Sequence, residues 1–263
     1  MTTGIRRGLI DLGEQKLEAI WAGPEPTEAP MLVMLHEGLG SADLWGKLPA
    51  LLAEATGLTV LAYSRAGHGA STPAMLPDRF TFMHDEALKV LPRVLGHVGF
   101  RKGVLVGASD GATIAAIYAG SVKDERVRGV SLTAPHFIVE EVTAAGARAG
   151  KVAYEQGELK RRLARWHANV DIAFYTWNQA FASPEFKQWF DATPLLRNIH
   201  VPVQVLQGEQ DEYGTPEQLT IARRECAGPV EAHLLPGIGH SIHKEAPELM
   251  CRMISDFVAK TLS

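Results

Sequence analysis

Apolar positions along the chain follow two rhythms. In one, short runs of consecutive apolar residues lie between turn-forming residues; in the other, apolar residues recur every three or four positions. Residues 31–35, between Pro30 and a glycine-rich loop, predict a buried strand, as do 58–63, 104–106, 127–133, 201–207 and 230–235. Residues 8–12 and 16–21, split by Gly13-Glu14-Gln15, predict an antiparallel hairpin. The helical rhythm fills the gaps. Leu44, Leu48, Leu51, Leu52 and Ala55 share one face; Ala87, Leu91, Val94 and Val98 share another in a stretch that Pro92 should kink. Residues 112–116, 215–226 and 247–260 are helical too, the last with Met250, Met253 or Ile254, and Phe257 inward. Strands alternating with amphipathic helices predict an α/β fold: a mostly parallel sheet with helices on both faces.

The alternation stops between residues 137 and 191. No β-branched run of strand length occurs there, residues 144–167 predict one or two helices interrupted near Gly157, and aromatic residues are concentrated. The expected organisation is a core of residues 1–136 and 192–263 carrying a helical insertion, 137–191. Large side chains give a small helical unit its own core, and some should face a pocket shared with the sheet. His136, Phe137, Trp166 and Trp177 are the candidate lining residues.

Composition narrows the classes. The chain has 263 residues, 46% hydrophobic and 21% charged, with a net charge of −4, which is ordinary for a soluble globular protein. A chain of this size needs neither disulfide nor metal to stabilise its core. Mild acidity without a Lys/Arg stripe argues against nucleic acid as a partner. Arg161, Arg162 and Arg165 read as a solvated helix face. Cys226 and Cys251 match no disulfide framework or zinc spacing and read as small apolar groups. The first residues lack the apolar segment of a signal peptide, and no run of 18 apolar residues predicts a membrane span. A cytoplasmic protein acting on a small molecule, without cofactor or metal, is expected; oligomeric state is not encoded in any of these features.

The chemistry concentrates at Gly107-Ala108-Ser109-Asp110-Gly111, between an apolar strand and a helix. This G-x-S-x-G pattern on a strand-to-helix turn lifts the serine hydroxyl clear of the sheet edge and aims a helix N-terminus at it. A serine hydroxyl needs a base, and the base needs an orienting group. Asp211 follows the strand 201–207, and His240 follows the strand 230–235 in a glycine-rich loop. Loops at the C-terminal ends of parallel strands converge on one crevice, and Ser…Asp…His is the order expected with such an elbow. Glu209 and Glu212 are rival acids, and His243 is a rival base. Two backbone N–H groups are needed for a developing oxyanion. Asp110 and Gly38, in the loop His36-Glu37-Gly38-Leu39-Gly40-Ser41, are the candidates. His36 should hold that loop by hydrogen bonds. Glu37 should be structural, with Arg65 as its expected partner, and the Asp110 carboxylate places an unexplained negative charge beside the site.

These stretches resemble the α/β-hydrolase superfamily, together with Ser64-Arg65-Ala66-Gly67-His68-Gly69-Ala70-Ser71 and Gly237-Ile238-Gly239-His240. Glu37, Ala66 and Ala112 depart from the glycines common at those places. The resemblance implies an eight-stranded, mostly parallel sheet, a helical cap at 137–191, and nucleophile, acid and base at Ser109, Asp211 and His240. The expected activity is hydrolysis of a small-to-medium, largely apolar ester, thioester or lactone. A C–C bond hydrolase, an enol-lactonase, an acyltransferase and a non-catalytic ligand-binding member are the alternatives on the same fold. A dinucleotide site is disfavoured because Asp43 stands where a third small residue is required. A zinc hydrolase lacks the H-E-x-x-H pattern.

Overall fold

Eight apolar runs form strands in a computed structural model that describes residues 4–26 and 29–263. They are β1 (Arg6–Asp11), β2 (Lys16–Ala22), β3 (Met31–Leu35), β4 (Thr59–Tyr63), β5 (Gly103–Ala108), β6 (Val127–Thr133), β7 (Val203–Gly208) and β8 (Val230–Leu235). They make one sheet in the order β1-β2-β4-β3-β5-β6-β7-β8. The β1–β2 hairpin and the β2–β4 pair are antiparallel. All other pairs are parallel. Met1–Thr3, where the reading of the N-terminus begins, lie outside the described residues.

The sheet is buried on both faces, and its central strands β3 and β5 carry only apolar residues and glycine, all of them buried. Successive side chains of a strand point to opposite faces. In β3, Met31, Val33 and Leu35 join one core layer while Leu32 and Met34 join the other. In β4, Leu61 and Tyr63 divide from Val60 and Ala62 in the same way. Helices Asp110–Ser121 and Leu91–His97 cover the first face; Leu48–Thr56 and Pro247–Leu262 cover the second.

Two helical expectations change in detail. The helix expected through Leu44–Ala55 is a 3-10 turn, Asp43–Trp45, and a separate helix from Leu48, because Gly46 adopts φ 58° between them. Where Pro92 was expected to kink one helix, the structure has a π turn at Glu86–Val90 followed by the helix Leu91–His97, with Pro92 in its first turn. Proline cannot donate to the preceding turn, so the hydrogen-bond ladder widens there.

Between β6 and β7 the chain forms helices Glu141–Glu155, Glu158–Leu163, Val170–Phe181, Pro184–Trp189 and Thr193–Leu196. Gly157, at φ 92°, makes the interruption the sequence implied. An antiparallel bridge between Ile138 and Asp191 closes the neck of this insertion. Its interior is aromatic: Tyr154 stacks on Phe174 at 3.7 Å, and Phe186 stacks on Phe190 at 5.1 Å. Among the described residues, no helix is long and apolar enough to cross a membrane.

Candidate active site

The turn after β5 is as tight as its glycines require. Ser109 has φ 52° and ψ −118°, a backbone conformation rarely adopted outside glycine. A Cβ on Gly107 would lie 2.3 Å from the Gly111 carbonyl oxygen, and one on Gly111 would lie 1.9 Å from that of Leu35. The Ser109 N–H donates to the Thr133 carbonyl at 2.8 Å, tying the turn to β6. Ser109 thereby sits at the N-terminus of helix Asp110–Ser121, whose first N–H groups have no acceptor within the helix.

Asp211 and His240 meet across the ends of β7 and β8. His240 Nδ1 lies 2.9 and 2.8 Å from the two Asp211 carboxylate oxygens. Asp211 also accepts from the N–H groups of Tyr213 (2.7 Å) and Gly214 (3.1 Å) and from Gln207 Nε2 (2.6 Å). An acceptor-only partner puts the proton on His240 Nδ1 and leaves Nε2 with its lone pair. Burial works against charge on the imidazole. The hydrogen bond and charge of Asp211, aided by Glu37 and Glu212, outweigh it and raise the His240 pKa above 6.5. At Asp211, burial opposes ionisation, but His240 and the Tyr213 N–H prevail and the pKa is lowered.

The rivals do other work. Glu209 accepts from the Gly237 N–H at 3.1 Å and Glu212 from the His240 N–H at 3.3 Å, so both fasten the loop that carries His240. His243 is buried in the short helix Ile242–Glu245. It packs 5.0 Å from Trp45, and burial lowers its pKa to about 4.

The loop after β3 is held at three consecutive carbonyls. His36 Nδ1 reaches the Glu37 oxygen (2.7 Å), His68 Nε2 that of Gly38 (3.1 Å), and His167 Nε2 that of Leu39 (3.2 Å). Arg65 donates to the His36 and Glu37 oxygens at 2.9 and 3.2 Å. In a trans peptide the C=O and N–H point opposite ways. Fixing the Glu37 carbonyl therefore aims the Gly38 N–H away from His36 and Arg65. Gly38 has no room for a side chain: a Cβ would lie 2.5 Å from Trp177 and 3.1 Å from Asp110 Oδ2. His36 thus holds the loop as expected. His68 lies in a turn and His167 in the connection between helices Glu158–Leu163 and Val170–Phe181, so neither carries a local sequence signal for this role.

Glu37 corrects its expectation. Arg65 takes its backbone carbonyl, while its carboxylate binds Lys244 at 2.5 Å and lies 3.9 Å from His243. Burial disfavours the charge, but His243 and Lys244 overcome it and the pKa falls to about 2. Asp110 instead receives Arg65, at 3.7 Å. Neither Asp110 carboxylate oxygen has a hydrogen-bond partner among the described residues, and burial pushes its pKa up to about 6 despite Arg65.

A folded pKa above the unfolded value means that the native state binds this proton more tightly. The cost of ionising Asp110 is then absent below pH 3.8, grows from there to about 6, and is fully present above. It amounts to roughly 3 kcal/mol. Asp110→Asn is expected to be more stable than the parent at pH 7, with the advantage shrinking as pH falls to 4. Chemical denaturation across that range checks this, and a gap independent of pH would contradict it.

A cavity of about 790 Å³ lies between sheet and insertion, lined by Ser109, His240, His136, Gly38, Trp177 and Trp166, among others. Trp177 is buried; Trp166 stands half exposed at the rim. Phe137 is not in the lining, which corrects its assignment as a substrate residue. It is fully buried in the core, with its N–H donating to Gln218 Oε1 at 2.8 Å. His136 and Phe137 are neighbours in a non-helical segment, so their side chains take opposite sides. Gly146, Ala149, Gly150 and Ala153 of helix Glu141–Glu155 also line the cavity. Their small-residue spacing of three and four was a usable signal that the aromatic bias obscured. No cluster of three or more His, Cys, Asp or Glu residues suited to a metal ion occurs among the described residues.

A family model described as alpha/beta hydrolase fold matches residues 30–176. Proline iminopeptidase of Lactobacillus helveticus is 31% identical over 110 residues, which is 41% of this chain. The match spans 37% of the length of that curated relative. Among solved structures, a membrane phospholipase A described as a bacterial virulence factor superposes with a TM-score of 0.79 at 18% identity, covering 99% of this chain and 87% of that one. Naproxen esterase (carboxylesterase NP) from Bacillus subtilis gives 0.72 at 19%, covering 97% and 92%. At such identities the structural likeness is one of fold.

Proposed function

The chain belongs to the alpha/beta-hydrolase fold family, and from that membership we propose that it is a serine hydrolase that cleaves small-to-medium, largely apolar carboxylic esters or lactones through an acyl-enzyme. The observation that carries this reading is the His240–Asp211 pair at 2.8 Å, in one cavity with the elbow residue Ser109. His240 Nε2 takes the hydroxyl proton as Ser109 Oγ bonds to the substrate carbonyl carbon. Asp211 fixes the imidazole tautomer and stabilises its charged form. The carbonyl electron pair moves onto oxygen, facing the N–H groups of Gly38 and Asp110. Collapse breaks the bond to the alkoxide, which leaves with the proton from His240. Water then repeats the sequence on the acyl-enzyme, with His240 again as base, and releases the acid and Ser109. The insertion 137–191 acts as a cap, with Trp177 against the reacting centre and Trp166 at the entrance. No cofactor or metal takes part in these steps.

A fluorophosphonate probe tests the proposal. Labelling is expected at Ser109 alone, located by peptide mass. Its rate should rise with pH through an apparent pKa above 6.5, because the base must be neutral and Asp211 favours its protonated form. An unlabelled Ser109 in folded protein would overturn the assignment. The iminopeptidase match supports a second reading, in which the leaving group is the amine of a peptide and the same residues act. Hydrolysis of proline p-nitroanilide in preference to p-nitrophenyl butyrate would favour it.

A further inference from the structure

His136 takes no part in the reaction above, yet the fold fixes it with care. It follows β6 through Ala134, a non-glycine residue at φ 47° whose N–H donates to the Leu206 carbonyl at 2.7 Å. Such strain persists only where surrounding contacts over-determine it, and it tends to mark functional positions. The His136 backbone is clamped on both sides by one hydroxyl of the elbow helix. Its N–H lies 3.0 Å from Thr113 Oγ1, and that hydroxyl donates to its carbonyl at 3.1 Å. The imidazole, by contrast, makes no hydrogen bond among the described residues. It is 1% exposed, lines the cavity beside Ser109, stacks on His240 at 5.7 Å and 23°, and packs 5.4 Å from Phe181.

A purely structural ring here would be better made of hydrocarbon. Nδ1 is buried without a partner, and a buried orphan donor is rarer and more costly than a buried orphan acceptor. The favoured tautomer therefore leaves Nδ1 bare and puts the proton on Nε2, on the ring edge remaining to face the cavity. Neither nitrogen is oriented by a carboxylate, unlike His240, so the ring is not arranged as a base. Burial lowers its pKa to about 3, with the His240 charge adding to the effect, so it stays neutral and does not compete with the neighbouring imidazolium.

We propose that His136 is a substrate-binding residue whose Nε2–H donates to an oxygen acceptor in the acyl group near the scissile carbonyl, so that acyl groups bearing such an oxygen are preferred over hydrocarbon ones of equal size. The proposal rests on the acyl-transfer reading of the same site. An acyl group without the oxygen leaves the donor unpaired in a dry pocket, which is the penalty that produces the preference.

The test compares p-nitrophenyl methoxyacetate with p-nitrophenyl butyrate, and p-nitrophenyl 3-methoxypropanoate with p-nitrophenyl pentanoate. Each pair differs by an oxygen in place of a methylene. Intrinsic reactivity cancels when the kcat/KM ratio of a pair is compared between protein variants. For at least one pair, His136→Phe and His136→Leu are expected to lower the ratio about tenfold relative to the parent. His136→Gln, which keeps a donor, should lose less. Fluorophosphonate labelling of Ser109 confirms that each variant is folded. Ratios unchanged in both pairs, in whichever of the Phe and Leu variants folds, would overturn the role of His136. Failure of the parent to hydrolyse any of the four esters would instead overturn the acyl-transfer reading itself.

Discussion

Ser109→Ala is expected to lower kcat for p-nitrophenyl acetate and butyrate by on the order of 10⁴ to 10⁶. What survives should be the contribution of binding and oxyanion contacts alone. The size of the loss follows from the covalent chemistry proposed for Ser109, which begins helix Asp110–Ser121 and lines the same cavity as His240. Stability should change little, because the Ser109 hydroxyl makes no hydrogen bond within the described residues and alanine retains the same backbone demands. Initial rates under saturating ester, with thermal melts beside them, separate the two effects. Activity within tenfold of the parent would falsify the nucleophile assignment.

Arg65→Met is expected to produce the largest loss of stability, about 3–5 kcal/mol, the usual result of stripping one partner from a buried charge pair. Arg65 is 5% exposed and Asp110 is fully buried, with both of its carboxylate oxygens otherwise unpartnered. The guanidinium also offsets the cost of burying Glu86, to which the Tyr63 hydroxyl donates at 2.8 Å. Methionine fills the volume but removes the cation facing both acids and one donor from each of two loop carbonyls. The same substitution made in Asp110→Asn should cost at least about 1 kcal/mol less, because contacting charges couple. Urea melts of the four proteins give the cycle, and equal costs in the two backgrounds would refute the coupling. Activity should fall as well, since the Glu37 carbonyl that orients the Gly38 N–H loses one of its two anchors.

The elbow was legible because Gly107 and Gly111 are forced by backbone contacts inside one turn, and local constraints leave local signatures. The strands were legible because burial on both faces writes continuous apolar runs. Gly157 as an interruption was legible as a local constraint of the same kind. The destination of Glu37 was not. Arg65 and Lys244 are both distant in sequence, and only the packed loops decide that one takes its carbonyl and the other its carboxylate. Phe137 was misplaced because adjacency to a strand end gives position without direction.

The sequence by itself determined the alternation of strand and helix, the interruption at 137–191, and the order of serine, acid and histidine. Each rests on periodicity or turn chemistry that acts over a few residues. Only the tertiary structure decided what Glu209 and Glu212 fasten, that His68 and His167 join His36 in holding the loop at Gly38, and where the charge of Asp110 is balanced. Those outcomes depend on groups brought together from separate loops, where burial strengthens each interaction and leaves every unpaired polar atom costly.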